Sequence, residues 1–143
     1  MKVLVQRVKN ASVRCLDVYE EIGEGLLLYV GFTDGDDINT LSKFTNKVLN
    51  LRIFNDENGV MNKSLMDIKG SILSISQFTL YGDAKKGNRP SYVKALNGTL
   101  AKPLYDEFNA KLRMSGLSVK EGVFGGDMKI SSLNDGPVTI MLD

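Results

Sequence analysis

The chain has 143 residues, 43% hydrophobic and 24% charged, with 18 basic against 17 acidic side chains and a net charge of +1. That length suits one domain, large enough to bury roughly 70% of the surface its unfolded chain exposes, and the near-neutral charge supplies no global field for a polyanion, so any nucleic-acid contact has to come from a local patch. Histidine is missing and Cys15 is the only cysteine, which excludes a Ser-His-Asp triad, a Cys-His dyad, histidine-ligated zinc, thiolate clusters and an internal disulfide.

No apolar run approaches the roughly 18 residues of a membrane span. The opening Met1-Lys2-Val3-Leu4-Val5-Gln6-Arg7 reads as a strand with charges in it and not as a signal peptide. A lone cysteine fits a reducing compartment, so the expectation is a cytoplasmic chain with no membrane partner.

Residues 1–8 alternate and predict a first strand, and 11–19 and 25–31 predict the next two. Thr33-Asp34-Gly35-Asp36-Asp37 predicts a turn and a helix start, with acids suited to a helix N-terminus. Leu41, Phe44, Val48 and Leu49 recur at helical spacing and predict one amphipathic helix over 37–50. A short strand over 52–55 and a turn at Asp56-Glu57-Asn58-Gly59 come next, and 71–79 carries the strongest strand signal in the chain. Leu100, Leu104, Phe108 and Leu112 fall four apart and predict a second helix with these side chains on one face. Thr99 suits its N-cap, Pro103 its first turn and Gly116 its end. Residues 118–123, 128–133 and 138–142 predict the last strands. Two main helices and about eight short strands give an α+β chain, one domain over 1–143, with the helices packed on a curved, mostly antiparallel sheet.

Between the last two predicted strands lies Asn134-Asp135-Gly136-Pro137-Val138-Thr139. Proline donates nothing to a sheet ladder and glycine weakens a strand, so the segment is a bend, a bulge or a projection. Its plain reading is a hairpin turn. A second segment, Ser76-Gln77-Phe78-Thr79-Leu80-Tyr81-Gly82-Asp83, ends the strongest strand in small, polar, glycine-punctuated sequence. Together, S-Q-F-T-L-Y-G-D and N-D-G-P-V-T resemble the two signature motifs of the D-aminoacyl-tRNA deacylases. The resemblance runs nearly end to end, through Val5-Gln6-Arg7-Val8, Gly25-Leu26-Leu27, Asn50-Leu51-Arg52-Ile53-Phe54, Lys86-Gly87-Asn88-Arg89-Pro90-Ser91 and Gly122-Val123-Phe124-Gly125. It implies a barrel-like sheet, a homodimer with active sites at the subunit interface, and hydrolysis of D-aminoacyl-tRNA.

Ser76, Thr79, Ser91 and Thr139 are the hydroxyls in or near these segments. An activated hydroxyl needs a base, and without histidine that leaves lysine or a carboxylate. No S-x-x-K pattern surrounds Ser76, so a Thr79 nucleophile is poorly supported, and Ser or Thr at a strand end commonly bonds local backbone. The alternative is that the protein supplies shape and dipoles. Backbone N–H groups of Phe78 and Thr79, with Ser76 and Gln77 beside them, would then stabilise an oxyanion. The resemblance points the same way, because the family is thought to use the tRNA's own 2′-hydroxyl. It also implies that Gly136-Pro137 is cis, enters the partner's pocket and excludes an L side chain, with Arg7 bracing the loop. A clash aimed at a side chain cannot reject glycine, so activity on glycyl-tRNA is expected as well.

Phe124 and Met128 read as core residues from their spacing. By resemblance they line the pocket for the terminal adenine, where an aromatic ring stacks on a base. Lys85, Lys86 and Arg89, with Lys94, are either a solvated loop or a patch for tRNA phosphates. The chain departs from the family pattern at Gly126, where alanine is common, and at Ser132, where an apolar residue is usual. No ligand cluster suggests a metal, and no cofactor and no DNA partner are expected. Two alternatives stand beside the leading reading. One is a tRNA-binding module of the same fold without catalysis. The other is a related branch with a trans Gly-Pro that tolerates L-alanine, which the intact motifs disfavour.

Overall fold

The computed structural model describes residues 1–143. Its organising element is β1 (Lys2–Cys15), whose alternation buries Val3, Val5, Val8, Ala11 and Val13. A tight turn at Leu16–Asp17 leads to β2 (Val18–Ile22), which pairs antiparallel with the second half of β1 from Ala11↔Ile22 to Cys15↔Val18. β3 (Gly25–Gly31) pairs antiparallel with the first half, from Lys2↔Gly31 to Val8↔Gly25. The other side of β1 is covered along almost its whole length by the last strand, β8 (Lys129–Leu142).

The remaining ladders are parallel: β3 with β6 (Ser71–Ser76), and β6 with β7 (Val119–Glu121). A parallel neighbour needs a crossover of a dozen or more residues, usually containing a helix. Here α1 (Ile38–Asn50) lies in the first crossover and α3 (Gly98–Arg113) in the second. The sheet is therefore mixed and nearly closed into a barrel, more parallel than periodicity suggested. The first crossover also holds a two-stranded ribbon, β4 (Phe54–Asn55) with β5 (Met61–Lys63), and a single-turn helix α2 (Leu65–Ile68) capped by Ser64. No helix is long and apolar enough to cross a membrane.

β3 is buried on both faces and reads as a continuous apolar run for that reason. Leu26, Leu28 and Val30 meet Leu41, Phe44 and Val48 of α1 and Tyr105, Phe108 and Leu112 of α3 in the larger core. Leu27 joins Val8, Val13, Leu73 and Ile75 in a smaller core on the other face of the sheet. α1 starts where its acids predicted, with a capping box in which Asp37 Oδ1 accepts from Thr40 N at 2.9 Å.

Four details differ from expectation. Asn97 caps α3, accepting at Oδ1 from Thr99 N at 2.8 Å, because an amide one residue before the helix reaches the free N–H groups that Thr99, already inside, cannot. The buried stripe of α3 is Ala101, Tyr105, Phe108 and Leu112, while Leu100 is 61% exposed; four-residue steps drift off a 3.6-residue turn. β6 stops at Ser76, and Phe78–Tyr81 forms a 3-10 turn. Finally, Asn134–Thr139 is no hairpin, since β8 runs through it.

Candidate active site

Where β3 and β6 end side by side, the chain encloses a cavity of about 620 Å³. Its floor is Val30, Gly31 and Phe32 from the end of β3 with Ile75 and Ser76 from β6. Gln77 and Phe78 lead into the 3-10 turn along one wall, and Phe124, Gly125, Gly126 and Met128 form another. Residues 92–101, at the head of α3, close the remaining side. Gly31 permits this closure, because a methyl group there would lie 2.8 Å from Gln77 O.

Of the sequence-predicted residues, Ser76, Gln77, Phe78, Phe124 and Met128 line this cavity together. Thr79 does not, although its hydroxyl accepts from Gln77 Nε2 at 2.5 Å. The N–H groups of Phe78 and Thr79 open the 3-10 turn and have no acceptor in backbone or side chain, whereas Gln77 N is committed to Val30 O at 2.7 Å. Two adjacent free donors thus begin the turn, the first on a residue that lines the cavity and the second on the residue after it. The lining contains no carboxylate, amine or guanidinium; Tyr92 is its one ionisable residue. Phe124 rests on the buried Tyr105, ring centroids 5.7 Å apart, and Tyr105 donates its hydroxyl to Ser74 O at 2.9 Å, tying α3 and β6 together behind the wall. Burial raises the Tyr105 phenol above its ordinary range.

Arg7, Gly136 and Pro137 lie elsewhere. In the β1–β8 ladder Gln6 faces Thr139 and Val8 faces Asn134. Asp135, Gly136, Pro137 and Val138 therefore stand opposite Arg7 alone, a multi-residue bulge with Gly136 and Pro137 exposed. The Gly136–Pro137 peptide is cis, and Gly136 has φ +124°, a conformation open to glycine. Arg7 is only 6% exposed, not a surface charge. Its Nε donates to Asp135 O at 3.0 Å and its Nη1 to Ile53 O at 2.7 Å, which fastens the bulge to the segment leading into β4. Asp135 also pairs with Lys9 Nζ at 3.5 Å.

Lys85, Lys86, Arg89 and Lys94 are all exposed, on a loop pinned by reciprocal Asp83–Ser91 backbone bonds of 2.8 Å, and none forms an ion pair. Sequence reasoning missed Phe32, Tyr92, Ala95, Leu96 and Ala101 as lining residues, since apolar side chains at a helix start look like any core. It also missed Ile53 and Asn55, the carbonyl and side-chain oxygens that receive Arg7 Nη1, at 2.7 and 3.5 Å. Of the two departures from the family pattern, Gly126 lines the cavity and Ser132 is exposed on β8.

The profile described as D-Tyr-tRNA(Tyr) deacylase matches residues 4–143. The chain belongs to that family. A D-aminoacyl-tRNA deacylase of Clostridium beijerinckii is 51% identical over 145 residues, covering 100% of this chain and 97% of the relative. One from Clostridium botulinum is 51% identical with the same coverage. Among solved structures, a c-Myc DNA unwinding element binding protein superposes with a TM-score of 0.93 at 40% identity, covering 100% of this chain and 98% of that one. A structure described as a probable eukaryotic D-amino acid tRNA deacylase superposes with a TM-score of 0.86 at 21% identity, over 99% and 97%, and shows the same fold. Membership places this chain among enzymes, as the motifs at Ser76–Asp83 and Asn134–Thr139 implied.

Proposed function

We propose that this chain hydrolyses the ester joining a D-amino acid to the 3′ end of tRNA, with the Phe78 and Thr79 N–H groups as the oxyanion site. The observation that carries this reading is the pair of free N–H groups beside a cavity without an ionised side chain. Water attacks the ester carbonyl, and the charge developing on its oxygen meets the two donors. One such donor contributes about 2.7–4 kcal/mol to the transition state. No lining group can act as a strong base, so the ribose 2′-hydroxyl beside the ester relays the proton to the departing 3′-oxygen. Products are the free D-amino acid and tRNA with its 3′-hydroxyl restored. Thr79, whose hydroxyl is engaged by Gln77, is not the nucleophile in this scheme.

Chirality is read by the Gly136–Pro137 bulge of a second copy. Within one chain the bulge faces Arg7, and Arg7 pairs with Leu26, four to six residues before the cavity's Val30–Phe32. At about 3.3 Å per residue that is roughly 13–20 Å along the strand, too far for a chain's own bulge to close its own site. A homodimer brings it from outside, and the free edge of β8 with exposed Leu133 and Met141 supports such a contact. An L side chain then meets the bulge backbone and is rejected by clash, while a D side chain points away. Glycine has nothing to clash, so glycyl-tRNA, including glycine mischarged on alanine tRNA, is also a substrate. Phe124 and Met128 hold the terminal adenine, and Lys85, Lys86 and Arg89 meet tRNA phosphates. The buried, unpaired Cys15 suits a cytoplasmic enzyme.

The name of the 40%-identical structure favours a second reading, DNA binding by the same unpaired cations. Incubating the purified protein with D-tyrosyl-tRNA and L-tyrosyl-tRNA separates the two. Release of D-tyrosine alone is the expected result. Intact esters with tight, salt-sensitive nucleic-acid binding would leave only the binding reading. For the dimer, mixing a Gly136–Pro137 deletion with a Phe78→Pro variant should raise the D/L ratio above that of the deletion alone, because one hybrid site then joins an intact oxyanion pair to an intact bulge. No rise on mixing would place both halves in one chain.

A further inference from the structure

Phe78 and Tyr92 form an exposed aromatic pair on the outer wall of the cavity, with ring centroids 5.2 Å apart at 70°. Their exposures are 56% and 40%, high for aromatic side chains in mutual contact. The pair is nevertheless fixed. Ser91, the residue before Tyr92, is locked to Asp83 by two 2.8 Å backbone bonds, and Tyr92 O accepts from Ala95 N at 3.0 Å. The Tyr92 ring also lies against Gly82, where a methyl group would come within 3.0 Å of Cε1. On the same loop, Lys85, Lys86, Arg89 and Lys94 are exposed and free of ion pairs.

The cavity therefore has two aromatic surfaces. The inner one, Phe124 on Tyr105, belongs to the terminal nucleoside in the reading above. The outer one lines the cavity mouth and shares its loop with four exposed, unneutralised cations. We infer that the Phe78–Tyr92 pair is a stacking platform for the nucleobase that precedes the terminal one in the single-stranded 3′ end. Rigid exposed rings beside a cationic track are how single strands are held without sequence preference, because every base has a π-face. The charges favour this occupant over a protein: an apolar subunit contact here would leave the cations without counter-charge, whereas a strand satisfies ring and cation together. The inference rests on the deacylase reading for its substrate and deepens it to the second nucleotide.

The experiment compares D-tyrosyl esters of adenosine and of the trinucleotide cytidylyl-cytidylyl-adenosine, in wild type, Tyr92→Ala and Tyr92→Phe. Loss of one stacked base predicts that Tyr92→Ala lowers the trinucleotide-to-nucleoside ratio of kcat/KM by roughly 5- to 140-fold, mainly through KM. Tyr92→Phe should restore the ratio. An unchanged ratio overturns the inference, and so does conversion of Tyr92→Ala to monomer in sedimentation velocity with both esters equally affected. A non-hydrolysable trinucleotide with 2-aminopurine in the penultimate position reads the contact without turnover. Its fluorescence should be quenched by wild type and Tyr92→Phe and not by Tyr92→Ala. If wild type hydrolyses neither ester but quenches, the platform stands and the deacylase reading fails; absence of quenching by wild type sinks the platform.

Discussion

Replacing Arg7 with methionine keeps the apolar stem and removes the guanidinium. Two short hydrogen bonds from a charged donor go with it, Nε to Asp135 O at 3.0 Å and Nη1 to Ile53 O at 2.7 Å, along with a longer, weaker one from Nη1 to Asn55 Oδ1 at 3.5 Å. Each short bond contributes about 1.5–3 kcal/mol, so the gross loss is about 3–6 kcal/mol. Relief of the buried guanidinium's desolvation returns part of that, leaving a net cost of about 2–4 kcal/mol. A domain with about 5–15 kcal/mol of stability still folds after such a loss. The proper control is Lys9→Met, because Lys9 reaches the same Asp135 at 3.5 Å from a half-exposed side chain, and an exposed pair contributes at most about 1 kcal/mol. Urea unfolding should show the Arg7 variant clearly below the Lys9 variant in midpoint. The same Arg7 variant should gain L-tyrosyl-tRNA hydrolysis relative to D, since the bulge loses its brace. Equal midpoints for the two variants, or a destabilised Arg7→Met with unaltered D/L preference, would refute the reasoning.

Three further outcomes follow from the geometry. In Gly126→Ala the new methyl lies 2.8 Å from Cys15 Sγ and 3.2 Å from Val123 Cβ, an overpacking worth about 1–3 kcal/mol; a double-mutant cycle with Cys15→Ala, followed by thermal unfolding, should recover most of it. Backbone hydrogen bonds hold the carboxyls of Asp37, Asp56 and Asp67 below their ordinary range, and a hydrogen bond from its own backbone does the same for Glu57. Their contribution is complete above the unfolded values of 3.8 and 4.5 and is lost as pH falls below them through the lower folded values, so Asp37→Asn should flatten the acid limb of stability against pH. Burial, with Asp36 and Asp143 nearby, pushes the Tyr81 phenol up to about 12. Stability should therefore fall as pH rises from the unfolded value of 10.0 through about 12, and Tyr81→Phe should remove one phenolate step from the ultraviolet titration there.

The parts of the fold that local chemistry dictates were readable. The acids ending at Asp37 signalled the start of α1, and Leu41, Phe44 and Val48 its buried face. Residues 25–31 were readable as a strand, yet its burial on both faces and its parallel pairing with β6 depend on where the crossover leads, which no local pattern encodes. Ser76, Gln77, Phe78, Phe124 and Met128 were legible as a group only through the family resemblance, because nothing in their spacing says that positions nearly fifty apart line one cavity. Gly136-Pro137 was recognisable as an interruption. A bulge was one of three readings it left open beside the plainer hairpin, and the choice among them rests on Arg7, the residue it stands opposite, more than a hundred positions away. Tyr92 escaped notice because its role depends on Gly82 and Phe78 beside it in space.

Under the proposed function one site cleaves D-aminoacyl esters and the bulge of β8 keeps L esters out. Its most direct test is kcat/KM for D-tyrosyl-tRNA and L-tyrosyl-tRNA, measured side by side on wild type and on a variant lacking Gly136 and Pro137. Rapid cleavage of the D ester alone by wild type and a collapsed D/L ratio in the deletion are the expected results. Hydrolysis of both esters by wild type, or full D selectivity without the bulge, would contradict it.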